Sequence, residues 1–373
     1  MNILQISSAG SIGGGERHLL DLVSGLVHRG QSVDLAVRPL SPLRSHLSTF
    51  PVTRLHLLPL RNAMDLSSAL ALRRLVRERS IDIVHAHLAR DYPLAAFAVR
   101  GSANAKLILT RHVLFRLSRF NRLTFGRAAY AIAVSEAVRQ GLLAQRIISD
   151  ERIRVIHNGV DLDRFARPDR IDSLQLAHKQ LGVGPDTLLV GSVGSLVPLK
   201  GHEDFILAAF VVAKTMPNVH FVIVGDEPPG DEYTFNSLNR LIDQLSLSGR
   251  VHLLRLVPDV APWLRAFDLF VSASHSESFG LAIVEAMAAG CPVVATDTEG
   301  AREILADGSN GKLTPIGDVP GLVSSISTLL AGSALRQRMG VAAQRVARER
   351  FKVERMVEQT EQLFQEALDH KAG

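Results

Sequence analysis

Residues 269–290 read LFVSASHSESFGLAIVEAMAAG, and residues 291–296 continue with CPVVAT. The first six residues are mostly apolar and β-prone, a polar stretch with Ser, Glu and Gly follows, and the segment after Gly280 is almost entirely apolar. This order predicts a buried strand, a loop, a buried helix and a second buried strand. A strand-helix-strand unit of this kind is typical of a parallel sheet covered by helices.

The same alternation runs along nearly the whole chain. It predicts strands over NILQIS, SVDLAV, IDIVHA, KLILT and AYAIAV, and then over TLLVGSVGS, HFVIVG, RVHLL, LFVSAS and PVVAT. The series restarts after a polar stretch, so we expect a hinge near 165–185 between two doubly wound, Rossmann-like domains, 1–170 and 171–350. The last segment, 351–373, has apolar residues at helical spacing and predicts a terminal packing helix.

The composition is that of a globular protein. Of the 373 residues, 46% are hydrophobic and 21% are charged, which excludes disordered, collagen-like and coiled-coil classes. The single cysteine, Cys291, cannot form an internal disulfide, as expected in a reducing cytoplasm. The N-terminus lacks the basic start of a signal peptide, and no apolar stretch reaches the roughly 18 residues that span a bilayer. We therefore expect a cytoplasmic protein that does not cross a membrane.

The two halves of the chain carry opposite charge. Residues 1–170 contain 25 Lys and Arg against 13 Asp and Glu, whereas 171–373 contain 17 against 24. Over 111–123, basic side chains alternate with large apolar ones, which suits an anionic membrane surface; a solvated basic face and a buried helix with snorkelling arginines are the alternatives. A nucleic-acid partner is not expected, because no reading module is recognisable. The residues assigned to the acceptor or membrane surface are Arg111, Phe115, Arg116, Arg119 and Arg122.

Two glycine-containing turns follow predicted strands. Residues 11–16 read SIGGGE before a predicted helix, and residues 194–201 read GSLVPLKG. Glycine lets the backbone approach a ligand closely, and a helix N-terminus offers N–H donors to a phosphate. Lys200 adds a charge, which makes a diphosphate the natural ligand, although a ligand-free turn and a solvated lysine are alternatives. Neither spacing is that of a dinucleotide-binding or Walker loop.

Two glutamates border the loop after residues 269–274. If a helix begins near Phe279, Glu285 lies inside it and Glu277 stays in the loop. Carboxylates accept hydrogen bonds from hydroxyls, so the pair suits a ribose and a sugar. Glu285 lies in so apolar a helix that it needs partners.

At these residues the chain resembles the family 4 retaining glycosyltransferases of the GT-B fold. The Glu-x7-Glu spacing of SESFGLAIVE matches that family, as do GGGE, IDIVHAH, LTRHVLF, AVSEAV, VIHNGVDLDRF, VGSLVPLKG, HFVIVGDEP, EGAREIL and DGSNGKL, in that order apart from the glutamate motif itself. The resemblance covers essentially the whole chain. It implies two domains facing across a cleft, with the acceptor on the N-terminal domain, a nucleotide-sugar donor on the C-terminal domain, and a terminal helix that returns to the N-terminal domain.

The resemblance also implies roles for single residues. His112 and Glu277 would be catalytic at the transferred sugar, and Glu285 would bind the donor ribose. The family commonly has arginine where Ser195 stands, and the loss of that charged contact puts donor affinity in doubt. The family also often has His-Asp where this chain has His112-Val113. The implied donor-binding residues are Gly14, Gly15, Gly194, Ser195, Lys200, Arg255, Phe279, Gly280, Leu281 and Glu285.

A metal site is weighed and set aside. His85-x-His87 places two imidazoles on one strand face, but the sequence shows no third ligand at a usable spacing. We therefore expect no metal or other cofactor. GT-B transferases generally stabilise the leaving diphosphate with protein charge and helix dipoles instead.

The expected activity is retaining transfer of a hexose-type sugar from a nucleoside diphosphate to an acceptor hydroxyl. The expected setting is lipopolysaccharide or other cell-surface glycan assembly on a glycan or lipid-linked acceptor, at the inner face of the cytoplasmic membrane. A catalytically silent nucleotide-sugar-binding scaffold and a GT-B sugar-nucleotide epimerase are the alternatives.

Overall fold

A computed structural model describes residues 1–44, 54–118, 121–166, 170–228 and 233–370. The chain divides into two units. The first comprises Met1–Gly159 with Val353–Gly373, and the second comprises Val160–Lys352. The region near 165–185, where the sequence predicts a hinge between the domains, falls within the second unit.

The first unit contains a parallel seven-stranded sheet in the order β3-β2-β1-β4-β5-β6-β7. Its strands are β1 (Asn2–Ser7), β2 (Ser32–Val37), β3 (Arg54–Leu57), β4 (Ile83–Ala86), β5 (Lys106–Arg111), β6 (Tyr130–Ala133) and β7 (Ile153–Val155). Its helices are α1 (Gly14–His28), α2 (Leu66–Glu78), α3 (Tyr92–Ala98), α4 (Asn121–Arg127), α5 (Glu136–Ala144) and, at the end of the chain, α15 (Val353–Asp369).

The second unit contains a parallel six-stranded sheet in the order β10-β9-β8-β11-β12-β13. Its strands are β8 (Leu188–Val193), β9 (Val219–Val224), β10 (Val251–Leu254), β11 (Leu269–Ser272), β12 (Val293–Thr296) and β13 (Lys312–Thr314). Its helices are α6 (Leu162–Phe165), α7 (Arg170–Leu181), α8 (His202–Thr215), α9 (Tyr233–Gln244), α10 (Ala261–Ala266), α11 (Leu281–Ala288), α12 (Glu299–Ile304), α13 (Val319–Ala331) and α14 (Ser333–Arg350).

The predicted fold class, two doubly wound parallel sheets, is confirmed. All ten predicted strands are present, because interior strands of such sheets are apolar on both faces. The three strands that the sequence analysis missed, β3, β7 and β13, are each three or four residues long and lie at sheet edges. Their partly exposed faces lack a continuous apolar run.

The terminal helix α15 packs in the first unit, as predicted. Its buried face carries Met356, Val357, Leu363 and Phe364, which join the apolar core beside α1. The helices approach closely at Gly25 of α1, where an added Cβ would lie 2.4 Å from Val357 Cγ2.

The strand order positions the site residues in each unit. In both sheets the direction in which successive strands are added reverses beside the first strand of the unit, between β1 and β4 and between β8 and β11. Ligands of doubly wound sheets bind outside the carboxyl ends of strands at such a switch point. Among the described helices, none is both long enough and apolar enough to cross a bilayer.

Candidate active site

At the switch point of the first unit, the glycine turn after β1 leads into α1. The backbone N–H of Gly13 donates to Glu16 Oε2 at 2.9 Å, which holds the start of the helix. The hydrogen bond from Gly13 lowers the pKa of Glu16, but burial raises it by more, so the pKa lies above its ordinary value. A Cβ on Gly15 would lie 3.5 Å from His112 Cγ, so the backbone of the turn lies directly against the His112 ring.

His112 belongs to a group of imidazoles that come from different elements. His18 lies in α1, His87 follows β4 and His112 follows β5, and one ring nitrogen of each lies within 4.8 Å of the others. The buried ring of His85 lies 4.2 Å from that of His87, between ring centres. Burial lowers the pKa of His18 to about 4 and that of His112 well below its usual value, and the neighbouring imidazoles lower both the His112 and the His87 pKa further. The group is therefore neutral near pH 7.

The hydrogen bonds of this group fix which nitrogens carry protons. His87 Nε2 lies 2.8 Å from Gln5 Oε1, an acceptor, so His87 carries its proton there and its Nδ1 has a free lone pair. His112 Nε2, 3.3 Å away, donates to that lone pair. His112 Nδ1 is then an acceptor, and it has no hydrogen-bond partner among the described residues.

The sequence analysis missed this group. It found His85 and His87 but no third imidazole, and the structure corrects it, because both His18 and His112 lie beside His87. Positions 18, 87 and 112 are too far apart in sequence for spacing to reveal their proximity. Only the pairing of β1, β4 and β5 brings them together.

The predicted surface residues of 111–123 divide into two sets. The prediction that Arg111 lies on the surface is wrong. Arg111 ends β5, is only 6% exposed, and its guanidinium donates to the backbone oxygen of Phe115. The alternation of basic and apolar residues gave no sign that it is the last residue of an interior strand. Phe115, Arg116 and Arg122 are exposed, whereas Arg119 lies outside the described residues.

In the second unit the turn after β8 positions Lys200. Gly194 donates its N–H to the Val224 oxygen at 3.0 Å, and a Cβ on it would lie 3.5 Å from Lys200 Cδ, so the lysine stem covers this glycine. Gly201 has φ +63° and its Cβ position is only 1.9 Å from the Ala273 oxygen, so no other residue fits. Lys200 Nζ donates to Glu277 Oε1 at 2.5 Å, and the hydroxyl of Ser274 donates to the same oxygen at 2.9 Å.

Ser195 is exposed, and its backbone oxygen accepts a hydrogen bond from His202 Nε2 at 3.2 Å. His202 begins α8 and is buried. Burial lowers its pKa to about 4, so it donates as a neutral ring. The sequence analysis did not identify His202 as a support of this turn.

The glutamate motif has the local structure that the sequence predicts. Gly280, with φ +101°, precedes α11, Glu277 lies in the loop before it, and Glu285 is buried in the helix at 4% exposure. Phe279 is buried beside Phe351, with ring centres 5.6 Å apart. The backbone N–H of Gly300 donates to the backbone oxygen of Glu277 at 3.1 Å, so the first turn of α12 holds the loop that contains Glu277.

Arg255 lies on a separate turn after β10. Its guanidinium lies 4.6 Å from the centre of the Phe235 ring and about 4 Å from carboxylate oxygens of Asp226 and Glu227. The structure thus brings Lys200 and Glu277 into contact, while Arg255 lies on another loop of the same sheet edge. Gly14, Gly15 and His112 belong to the first unit, and the other assigned donor residues belong to the second.

Comparison with known proteins identifies the family. The model of Glycosyltransferase Family 4 matches residues 12–164, and that of Glycosyl transferases group 1 matches residues 175–346. The lipopolysaccharide core biosynthesis glycosyltransferase LpsE of Rhizobium meliloti is 30% identical over 349 residues, which are 88% of this chain and 89% of the relative.

Solved structures agree in fold. HepE of Anabaena in complex with UDP-glucose has a TM-score of 0.86 at 26% identity, with 98% of this chain and 100% of that chain covered. A glycosyltransferase of Rickettsia africae has a TM-score of 0.87 at 22% identity, with 99% of each chain covered. The two parallel sheets, the returning helix and the match along both units therefore show that the chain belongs to family 4 of the group 1 glycosyl transferases, enzymes of the GT-B fold that take their sugar from a nucleotide sugar.

Proposed function

We propose that the protein is a retaining hexosyltransferase that uses a UDP-sugar and acts in the assembly of lipopolysaccharide or another cell-surface glycan. The similarity to HepE, solved with UDP-glucose, supports the donor class, and the similarity to LpsE supports the glycan setting. The observation that carries the proposal is the contact between Lys200 and Glu277 beside the start of α11.

Lys200 supplies the charge that a departing diphosphate needs. Negative charge grows on the phosphate oxygens as the bond to the sugar breaks, and a fixed ammonium group stabilises it. The charge of Lys200 is paired with Glu277 at 2.5 Å. A diphosphate competes for Lys200, and the Glu277 carboxylate is then available to accept hydrogen bonds from sugar hydroxyls.

His112 contributes an acceptor to the sugar. It is neutral, and the bonds from Gln5 through His87 leave its Nδ1 as a lone pair. A neutral ring of this kind accepts a hydrogen bond from a sugar hydroxyl without placing a positive charge beside the leaving group. Gly15 lets the backbone of α1 approach the His112 ring, and we assign Gly14 beside it to the same region.

A surface of exposed basic and apolar side chains supports the proposal that the acceptor is linked to a lipid. We define the basic-apolar surface as Val113, Phe115, Arg116, Arg122 and Leu123, all exposed, with Phe115 at 65% and Leu123 at 76%. No acidic residue lies between Asp91 and Glu136 in the sequence. Exposed apolar side chains beside arginines insert at an anionic lipid surface, so we propose that this surface holds the enzyme peripherally at the cytoplasmic membrane.

The proposal is tested by incubating the purified chain with UDP-sugars and a glycan acceptor, and following UDP release and the anomeric configuration of the product by NMR. We expect transfer with retained configuration, and a loss of roughly a hundredfold or more in His112→Asn. His28→Asn, an exposed change in α1, is the control and keeps its activity. Binding without turnover would favour a scaffold, and a changed sugar still attached to UDP would favour an epimerase.

A further inference from the structure

We propose that His18, His87 and His112 form a binding site for a divalent transition-metal ion, with Zn²⁺ as the preferred ion. Three imidazoles from three elements converge there, and imidazole nitrogen is a good ligand for Zn²⁺. Zn²⁺ bound by three protein nitrogens keeps a fourth position for water or another small ligand.

The distances suit such an ion. Zn–N bonds of about 2.0–2.1 Å in a tetrahedral site place neighbouring nitrogens about 3.3 Å apart. His87 Nδ1 and His112 Nε2 are 3.3 Å apart, and His18, His87 and His112 each have one ring nitrogen within 4.8 Å of the others. His18 therefore completes the site by a side-chain shift that brings its nitrogen to the spacing of the other two.

The surroundings also suit a metal. All three rings are neutral near pH 7, as ligation requires, because burial disfavours the imidazolium form. His87 is oriented from behind by its bond to Gln5 Oε1, the arrangement that fixes metal-binding histidines. When the ion binds, the His112 proton leaves Nε2 for Nδ1, the nitrogen that has no partner among the described residues.

Occupation of this site inhibits sugar transfer. With the ion on Nε2 and the proton on Nδ1, His112 no longer offers the lone pair that the proposed function assigns to the sugar. Free Zn²⁺ that binds this site therefore lowers the rate of sugar transfer. Binding of the ion itself does not depend on the proposed function, so the two can fail separately.

A second pair of close imidazoles provides the matched control. His220 Nδ1 and His252 Nε2, on β9 and β10 of the second unit, are 3.0 Å apart and their rings are stacked. This pair offers two nitrogens at a similar separation but is not part of a three-ligand group among the described residues. Comparing the two groups therefore distinguishes a site that needs three ligands from nonspecific metal binding by two neighbouring histidines.

The experiment titrates metal-free protein with Co²⁺, whose tetrahedral complexes absorb strongly in the visible range, and then displaces it with Zn²⁺. We expect one equivalent of tetrahedral Co²⁺ per chain in the wild type and in His252→Gln, and a loss of affinity of tenfold or more in His18→Gln and His87→Gln. Glutamine keeps the size and polarity of the buried positions, and circular dichroism checks that each variant is folded.

A measurement on the unmodified protein guards against variants that fail to fold. In wild-type protein with labelled histidines, NMR detection of the ring nitrogens should show that one equivalent of Zn²⁺ shifts the signals of three histidines. The proposal is overturned if no tetrahedral Co²⁺ forms, if the absorption survives both His18→Gln and His87→Gln in folded protein, or if it disappears in His252→Gln. Zinc inhibition of transfer, reversed by a chelator, then tests the consequence for activity.

Discussion

Lys200 Nζ and Glu277 Oε1 lie 2.5 Å apart at the carboxyl end of the second sheet, so the charges of the two residues assigned to diphosphate and sugar are paired with each other. Lys200→Met should therefore weaken UDP binding by roughly 1–3 kcal/mol, which is about fivefold to 150-fold. Glu277→Gln should leave UDP binding unchanged or tighter, because it releases the lysine, while it lowers turnover.

Isothermal titration calorimetry of UDP with both variants and the wild type checks this pair of expectations. Glu303→Gln, in α12, is a control that removes one negative charge from the same unit. If Glu277→Gln and Lys200→Met weaken UDP binding equally, the ion pair acts as one structural unit and the separate roles are wrong.

His202 makes the stability of the second unit depend on pH. Its folded pKa of about 4 lies below the ordinary value of 6.5, so the native state binds this proton less readily than the unfolded state. The stability that the neutral ring contributes is complete above about pH 6.5 and is lost as the pH falls toward 4. Each unit of pKa shift corresponds to about 1.4 kcal/mol at most in this interval.

Urea unfolding followed by Trp263 fluorescence measures this effect, because Trp263, the only tryptophan, lies in the same unit. His202→Asn should show a shallower fall in unfolding free energy between pH 7 and pH 5 than the wild type, since it lacks the titrating ring. Parallel curves for the two proteins would show that another group governs the acid sensitivity.

The packing of the terminal helix depends on Gly25. A Cβ there would lie 2.4 Å from Val357 Cγ2 and 3.0 Å from Cγ1, so Gly25→Ala forces α1 and α15 apart. We expect a loss of about 1–3 kcal/mol in unfolding free energy, measured by urea unfolding and far-ultraviolet circular dichroism.

Gly141→Ala is the matched control, because Gly141 lies in α5 and an added Cβ meets nothing within 4 Å. Alanine there should raise the unfolding free energy by about 0.5–1 kcal/mol through helix propensity. The cost of Gly25→Ala should also shrink in a Val357→Ala background, and a cost independent of Val357 would locate the strain elsewhere.

The sequence predicted the interior of both sheets and the geometry of the glutamate motif, because each depends on local patterns. The strand after position 268 is mostly apolar, and a helix beginning near Phe279 places Glu285 inside it and leaves Glu277 in the loop. The contact between Lys200 and Glu277 could not be predicted, because it joins two loops that follow different strands and depends on the pairing of β8 with β11.

The same reasoning explains the errors in the first unit. The order β1-β4-β5 brings the turn before α1 beside the loops that contain His87 and His112, and no sequence spacing encodes that order. Arg111 looks like its neighbours Arg116 and Arg122 in sequence, but it is the residue at which β5 ends, paired in register with Ala133. Its burial is therefore a property of the sheet.

The basic-apolar surface predicts selective binding to anionic membranes. Phe115 and Leu123 are largely exposed, and Arg116 and Arg122 lie beside them in sequence. Near an anionic lipid surface each arginine contributes about 1 kcal/mol, and salt screens this attraction over roughly 10 Å at 0.1 M. The protein should therefore sediment with vesicles that contain phosphatidylglycerol, should not sediment with pure phosphatidylcholine vesicles, and should be released by high salt.

Two double variants distinguish the effect of this surface on vesicle binding from the effect of net charge. Arg116→Glu with Arg122→Glu should abolish sedimentation with anionic vesicles, while UDP binding by the second unit is kept. Arg338→Glu with Arg345→Glu, exposed positions on α14, changes the net charge equally and should leave vesicle binding close to that of the wild type. Equal loss in both variants would mean that net charge alone drives the association. Equal binding to neutral and anionic vesicles would mean that the arginines do not drive the association. No binding to either would mean that Phe115 and Leu123 are exposed for a reason other than lipid contact.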